Sequence, residues 1–144
     1  MAAPQLNFLT LACADVERMA EFLRALGWAE DAESERAHRL FQGTNGVVVA
    51  LYGAHHYEPH FGPRAGGFRG FTLGLNLASA EEVDSVYEML HGVDGAELLE
   101  EPFDSPHGFR GFSLRDPEGN IWDVAWKRGS TVTPDGDLTW SGAG

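Results

Sequence analysis

Apolar residues recur every three or four positions in two segments of the chain, which is the spacing of an amphipathic helix. The first segment runs from about Asp15 to Leu26 and the second from about Ser79 to Leu90. In each segment one apolar stripe is opposed by an acidic face. Asp15 and Ser79 are favourable N-cap residues, and a glycine follows the last turn of each segment. The pattern predicts two helices, each with one buried face.

Strand patterns lie on both sides of each predicted helix. A short apolar run precedes the first helix at residues 7–13, and another precedes the second at residues 71–77. A hairpin pattern follows each helix, because turn residues separate two runs rich in apolar and aromatic side chains. The predicted hairpins join 38–42 to 47–52 through an Asn-Gly turn, and 109–115 to 120–126 through Asp-Pro-Glu-Gly.

These elements form a repeat. A shift of the chain from Leu9 to Leu73 superimposes the two first strands and then the apolar positions of the two helices. The sequence therefore predicts two modules, each built as a strand, a helix and further strands. Their expected bounds are 5–53 for the first module, 54–67 for a linker loop, 68–127 for the second module and 128–144 for a C-terminal extension, with a short edge strand near 138–140.

The charge of the chain restricts its partners. Acidic residues number 22 and basic residues 10, which gives a formal net charge of −12. This excess disfavours nucleic acid and anionic membrane surfaces, and it allows a cationic ligand. No apolar run approaches the roughly 20 residues that span a bilayer. The single cysteine, Cys13, and the lack of a visible signal peptide lead us to expect a cytoplasmic protein.

Two blocks of sequence resemble a known superfamily. The first runs from Leu11 to Trp28, and the second from Gly108 to Trp126, where an Asp-Pro-Glu-Gly-Asn turn leads into Trp-Asp-Val-Ala-Trp. In order, spacing and duplication they resemble the vicinal oxygen chelate superfamily, which includes glyoxalase I, bleomycin-resistance proteins and extradiol dioxygenases. The resemblance implies an α+β fold in which two βαβββ modules form a curled mixed sheet around a cavity.

Strand alternation indicates which residues would face that cavity. Leu9, Leu11 and Cys13 form the more apolar side of their strand, so we expect them under the helix and their neighbours in the cavity. Two histidines of the linker loop are also expected to contact the ligand, because the linker would lie at the mouth of the cavity. The expected ligand-binding residues are Phe8, Thr10, Ala50, Tyr52, Thr72, Asn76, Phe112, Asp123, His56 and His60. Asp123 is also the candidate catalytic group, and its alternative role is that of a hydrogen-bonded structural carboxylate.

The resemblance also implies where a metal would bind. The family's metal enzymes use four inward ligands, and their positions correspond here to Phe8, Ala50, Thr72 and Asp123. Phenylalanine and alanine cannot ligate and threonine is a poor ligand, so we expect no metal and no other cofactor. A second arrangement, disfavoured because loop residues rarely hold rigid geometry, would use the linker histidines. It comprises His55, His56 and His60 with Glu58 or His107.

Three functions remain open from sequence. The first is a metal-independent protein of the bleomycin-resistance type that binds a small organic molecule. The alternative is an enzyme of the same superfamily, a lyase, isomerase or dioxygenase acting on a small organic substrate. The third is a domain that acts only through its dimer surface. We expect a homodimer in each case, because the open edge of each module's sheet needs cover.

Overall fold

Each of the two predicted helices follows the first strand of a βαβββ module. The computed structural model describes residues 1–43 and 45–140. The chain divides into two units, of which the first ends at Arg64 and the second begins at Ala65. This boundary falls within the segment 54–67 that the sequence assigns to the linker.

The first unit contains a four-stranded mixed sheet, one face of which packs on helix α1. Its elements are β1 (Phe8–Cys13), α1 (Val16–Ala25), β2 (Ala29–Glu30), β3 (His38–Gln42), β4 (Val48–Gly53) and α2 (Ala54–Phe61). The strand order is β1-β4-β3-β2, with β1 parallel to β4 and the other pairs antiparallel. Asp15 caps α1 as predicted, since its side chain accepts a hydrogen bond from the Arg18 N–H at 3.0 Å.

The second unit repeats this topology. Its elements are β5 (Leu73–Asn76), α3 (Ala80–Leu90), β6 (Glu97–Leu98), β7 (Phe103–Asp104), β8 (Phe109–Arg115), β9 (Ile121–Lys127), β10 (Thr131–Val132) and β11 (Leu138–Thr139). The main sheet has the order β5-β9-β8-β6, with β7 also paired to β8. Ser79 caps α3, because its Oγ accepts from the Glu82 N–H at 3.2 Å. The predicted repeat of βαβββ modules is confirmed.

Alternation along the strands separates a helix-covered face from an open face in each unit. In the first unit Leu11 and Cys13 are buried with the apolar face of α1, while Phe8 and Thr10 of the same strand are exposed. In the second unit the residues buried on the side of α3 are Leu73, Phe112, Leu114, Trp122 and Val124. Of the residues that the sequence assigns to the cavity, Phe8, Thr10 and Asp123 lie on the open faces, whereas Phe112 lies on the helix side of its sheet.

The linker differs from its prediction as a loop. Residues Ala54–Phe61 form helix α2, and only the rest of the 54–67 segment lacks helical structure. The glycines that suggested a loop begin at Gly62, whereas the preceding residues tolerate helix even with Pro59 in its second half. Ring contacts of Tyr52 with His56 and Tyr57, at 4.3 and 5.4 Å between centroids, fix this short helix against β4.

The C-terminal extension also differs from its prediction. In place of a single edge strand it contains a separate two-stranded hairpin, in which Thr131 pairs with Thr139 and Val132 with Leu138. The predicted edge strand reaches Trp140, and the last part of the predicted extension, 141–144, lies outside the described residues. Among the described residues, none of the helices combines the length and the hydrophobicity that crossing a bilayer would require.

Candidate functional site

Asp123 lies at the centre of the open face of the second sheet. It belongs to β9 and pairs with Gly74 of β5 on one side and with Ser113 of β8 on the other. The corresponding position in the first unit is Ala50, which pairs with Thr10 of β1. The topology thus confirms that Ala50 and Asp123 are equivalent positions of the repeat, one with a methyl group and one with a carboxylate.

A pocket of about 350 Å³ opens beside Asp123 within the second unit. Its floor is formed by β8 and β9, and one wall by β7 and the segment that precedes it. The pocket is lined by Glu100, Phe103, Ser105, Phe109, Gly111, Phe112, Ser113, Asp123, Val124 and Ala125. This volume lies within the range of small-molecule sites, which are mostly apolar clefts with a few polar groups.

Ser113 connects the two carboxylates of the pocket. Its hydroxyl donates to Asp123 Oδ1 at 2.6 Å, and its backbone N–H donates to Glu100 Oε1 at 2.7 Å. Asp123 is partly buried, whereas Glu100 is exposed at the rim. Each carboxylate therefore has one oxygen engaged with the same serine, and both are held at one end of the pocket.

Two phenylalanines form the apolar part of the pocket. Phe103 on β7 pairs with Gly111, which has no side chain to cover the floor, and about half of the Phe103 surface is exposed. Phe109 at the start of β8 contacts the indole of Trp140 at 5.8 Å between ring centroids. The Lys127 ammonium lies 5.2 Å from the centre of that indole. Trp140, which directly follows β11 of the C-terminal hairpin, therefore supports the pocket wall that Phe109 forms.

The other predicted site residues of the second unit lie outside the pocket or turn away from it. Thr72 and Asn76 are exposed on and next to edge strand β5, and neither lines the pocket. Phe112 borders the pocket through its strand, but its ring is buried on the helix side, 5.1 Å from the Tyr87 ring. Strand alternation places Phe112 there, between the open-face positions Gly111 and Ser113.

Two of the predicted residues of the first unit, Tyr52 and His56, form a second group. Tyr52 is its centre, since its ring lies 4.7 Å from that of His38 and 4.3 Å from that of His56. His60 is further along α2, beside Phe61. Phe8 and Thr10 are exposed on β1, whereas Ala50 is fully buried and offers no surface to a ligand. The structure brings Tyr52 and His56 together and leaves His60 apart from them.

The donor atoms at the implied metal positions do not fit a divalent ion. Phe8 and Ala50 have no donor side chain, and Thr72 offers only a neutral hydroxyl. Within residues 1–43 and 45–140, no three histidine, cysteine or acidic side chains are arranged to hold a metal ion. Asp123 is the one acidic side chain of the four implied positions.

Of the ten residues that line the pocket, two, Phe112 and Asp123, belong to the ligand-binding set expected from sequence. The missed residues include Glu100, Phe103 and Ser113. Glu100 and Phe103 come from a segment with no periodic pattern, where only short strands form. Ser113 could not be assigned from the predicted hairpin, because a four-residue turn at 116–119 would place it opposite Trp122, whereas in the structure it pairs with Asp123. Phe109, the second aromatic residue of the wall, is also outside the expected set.

Comparison with known proteins agrees with this architecture. Residues 5–124 match the family model of the Glyoxalase/Bleomycin resistance protein/Dioxygenase superfamily. A glyoxalase-related enzyme from Fulvimarina pelagi superimposes with a TM-score of 0.83 at 26% identity, covering 96% of this chain and 99% of that one. None of the curated proteins matches the sequence significantly.

Two further solved structures share the fold. A glyoxalase/bleomycin resistance protein/dioxygenase from Nocardioides gives a TM-score of 0.72 at 25% identity, covering 92% of this chain and 90% of that one. A glyoxalase/bleomycin resistance protein/dioxygenase family enzyme from Burkholderia phytofirmans PsJN gives a TM-score of 0.76 at 19% identity, covering 86% of this chain and 99% of that one. With the family model matching most of its length, the chain belongs to the glyoxalase/bleomycin resistance protein/dioxygenase superfamily.

Proposed function

We propose that the protein binds a small organic molecule in the pocket beside Asp123, without the metal ion of the family's metalloenzymes. The observation that carries the proposal is the pocket itself, with apolar walls from Phe103 and Phe109 and polar groups at one end. Such a combination gives affinity through burial of apolar surface and orientation through few hydrogen bonds. The residue types at the implied metal positions support a metal-independent mode.

The proposal is tested with metal-depleted protein and a set of small organic compounds. A compound that binds the folded state raises the melting temperature, and the rise grows with the logarithm of its concentration once that exceeds Kd. We expect such shifts after chelation, and no further shift when zinc, nickel, manganese or iron is added. A stabilising shift that appears only with one of these metals would contradict metal-independent binding.

A pair of variants locates the binding site. Phe103→Ala removes a half-exposed ring from the pocket wall, whereas Phe68→Ala removes an exposed ring that does not line the pocket. Neither ring is buried, so both variants should fold. We expect the compounds that raise the melting temperature of the unmodified protein to have no such effect on Phe103→Ala and to keep it on Phe68→Ala. Equal loss, or equal retention, in both variants would place binding elsewhere.

Asp123 supports one alternative, a lyase, isomerase or dioxygenase acting on the same class of molecule. A carboxylate hydrogen-bonded to a serine in a pocket is a group that can accept or return a proton. Incubation of each binding compound with the protein, followed by mass spectrometry, distinguishes the two functions. Unchanged compound supports binding alone, and a product lost in Asp123→Asn supports the enzyme.

We further propose that the protein acts in the cytoplasm. The single cysteine, Cys13, is buried and has no second cysteine with which to form an internal disulfide. Fractionation of the cells that produce the protein, with antibody detection, tests this location.

A further inference from the structure

The ionisable residues that line the pocket have one sign of charge. Glu100 and Asp123 are both acidic, and no lysine, arginine or histidine is part of the lining. Within residues 1–43 and 45–140, neither carboxylate forms an ion pair with a basic side chain. Their common partner is Ser113, which is neutral. In the described part of the chain, the two carboxylates of the pocket are therefore not paired directly with a cationic side chain.

The position of this charge matters more than the overall acidity of the chain. Asp123 is partly buried at the floor, where screening by solvent is weaker than at an exposed surface. A charge-assisted hydrogen bond to a carboxylate is about twice as strong as one between neutral groups. An N–H⁺ donor is thus the ligand group that this end of the pocket favours most.

The rest of the pocket excludes a bare inorganic ion as its best occupant. Two carboxylates linked through one serine are fewer ligands than a stable metal site needs. The rings of Phe103 and Phe109 supply no coordinating atoms, but they contact hydrocarbon well and attract a cation that approaches a ring face. The walls and the charged end together select a molecule that is both apolar and cationic.

We propose that the ligand of this pocket is an organic cation, a protonated amine carried on an apolar ring system. The ammonium group lies against Asp123 and Glu100, and the ring system lies against Phe103 and Phe109. This assignment rests on the proposed binding function, since it names the class of molecule that the same pocket takes.

Three probes that share one ring system isolate the effect of charge. They are 2-(1-naphthyl)ethylamine, which is cationic at pH 7, the neutral 2-(1-naphthyl)ethanol, and the anionic 1-naphthylacetate. Affinities are measured by calorimetry with metal-depleted protein at low salt. We expect the amine to bind at least about tenfold more tightly than the alcohol, and the carboxylate to bind most weakly. Magnesium and manganese ions alone should not displace the amine at millimolar concentration.

Asp123→Asn tests the assigned carboxylate, and Glu88→Gln is its matched control. Both changes remove one negative charge, but Glu88 is exposed on α3, which packs on the opposite face of the sheet from the pocket. We expect Asp123→Asn to weaken the amine about tenfold and the alcohol less than about twofold. Glu88→Gln should change neither affinity by more than about twofold.

The possible failures separate the two proposals. If all three probes bind equally and Asp123→Asn has no effect, the cation assignment is overturned while the binding function stands. If Glu88→Gln weakens the amine as much as Asp123→Asn does, general acidity explains the binding and the assignment is overturned. If no probe binds at millimolar concentration, both the cation assignment and the pocket function are contradicted.

Discussion

Two aspartates of the β8–β9 hairpin have opposite surroundings. Asp116 is buried and accepts four hydrogen bonds, at 2.8 to 3.0 Å, from the N–H groups of Glu118 and Asn120, the Asn120 amide and the Trp122 indole. Asp123 accepts its bond from the hydroxyl of Ser113 and opens to a pocket. The first carboxylate is engaged in holding the turn, whereas the second has capacity left for a ligand.

Substitution by asparagine should separate these roles. In Asp116→Asn the new NH₂ group faces two of the four donors, so buried hydrogen bonds are lost and we expect about 2–4 kcal/mol less stability. Asp123→Asn keeps an oxygen for Ser113 and should cost less than about 1 kcal/mol. Urea unfolding followed by Trp fluorescence measures both. Equal stability of the two variants would contradict this division of roles.

Arg39 is the centre of an ion-pair network between α1 and the strands of the first unit. It donates to Glu30 and, at 2.6 Å, to Glu17, and Arg24 joins both acids at 3.0 Å. The Arg39 and Glu30 side chains are only 15% and 21% exposed. We expect Arg39→Met to cost about 1–2 kcal/mol, because it leaves a partly buried carboxylate short of its partner.

The control for this prediction is an exposed ion pair. Arg115 and Glu97 are 3.2 Å apart, with side chains 43% and 64% exposed, so Arg115→Met should cost less than about 0.5 kcal/mol. Both variants are compared by urea unfolding at pH 7. A loss for Arg39→Met no greater than that for Arg115→Met would show that the network contributes nothing special.

The same network makes the protein less stable as the pH falls into the acidic range. Burial raises the pKa of Glu30, but hydrogen bonds from Arg39 and Arg24 outweigh it and hold the pKa below the ordinary 4.5. Hydrogen bonds from Arg39 and Arg24 also lower the pKa of Glu17. The stabilisation is therefore complete above about pH 4.5 and is lost as the pH falls through the folded-state values. Unfolding measured from pH 7 to pH 3 should show the Arg39→Met difference narrowing below pH 4.5.

At the scale of elements, one residue of turn length decides which side chains meet. A four-residue turn at 116–119 would place Arg115 opposite Asn120 and Ser113 opposite Trp122. The bond from the Asp116 N–H to the Asn120 carbonyl, at 2.9 Å, closes a longer turn and pairs Arg115 with Ile121. Ser113 therefore faces Asp123, and periodicity alone could not predict this contact.

Gly111 sets how closely β8 and β9 pack at the pocket floor. A Cβ there would lie 2.6 Å from the Val124 carbonyl oxygen and 3.0 Å from the Ala125 Cβ. We expect Gly111→Ala to cost about 1–3 kcal/mol, because a backbone atom must move to admit the methyl group. Gly74→Ala is the matched control on neighbouring β5, where a Cβ would meet no atom within 4 Å. Thermal unfolding of both tests this; a stable Gly111→Ala would show that the strands can separate at no cost.

At the scale of the whole molecule, the repeat was the most predictable feature. Two capped helices and two hairpins reveal the repeat because each depends on local pattern and turn chemistry. The candidate site was predicted less well. Asp123 is an anomaly in an apolar strand and could be identified, but Glu100 and Phe103 reach the pocket only through short strands and loops that tertiary contacts stabilise.

We predict that the protein is a homodimer. The first strand of each module, β1 or β5, is at the edge of its main sheet, and Phe8 on β1 is 50% exposed. Edge strands with apolar side chains favour association, and a two-fold dimer is the commonest solution. Light scattering at micromolar concentration measures the mass. A value near the 15.7 kDa of one chain would contradict the prediction.

The difference between Ala50 and Asp123 bears on how many molecules one chain can hold. A duplicated scaffold offers two geometrically matched positions, but a carboxylate occupies only the second. The duplication is thus symmetrical in backbone and asymmetrical in chemistry. We expect calorimetric titration with 2-(1-naphthyl)ethylamine to saturate at about one molecule per chain. Saturation at about two molecules per chain would mean that the first unit, with its Tyr52 and His56 group, also binds the amine although Ala50 provides no carboxylate.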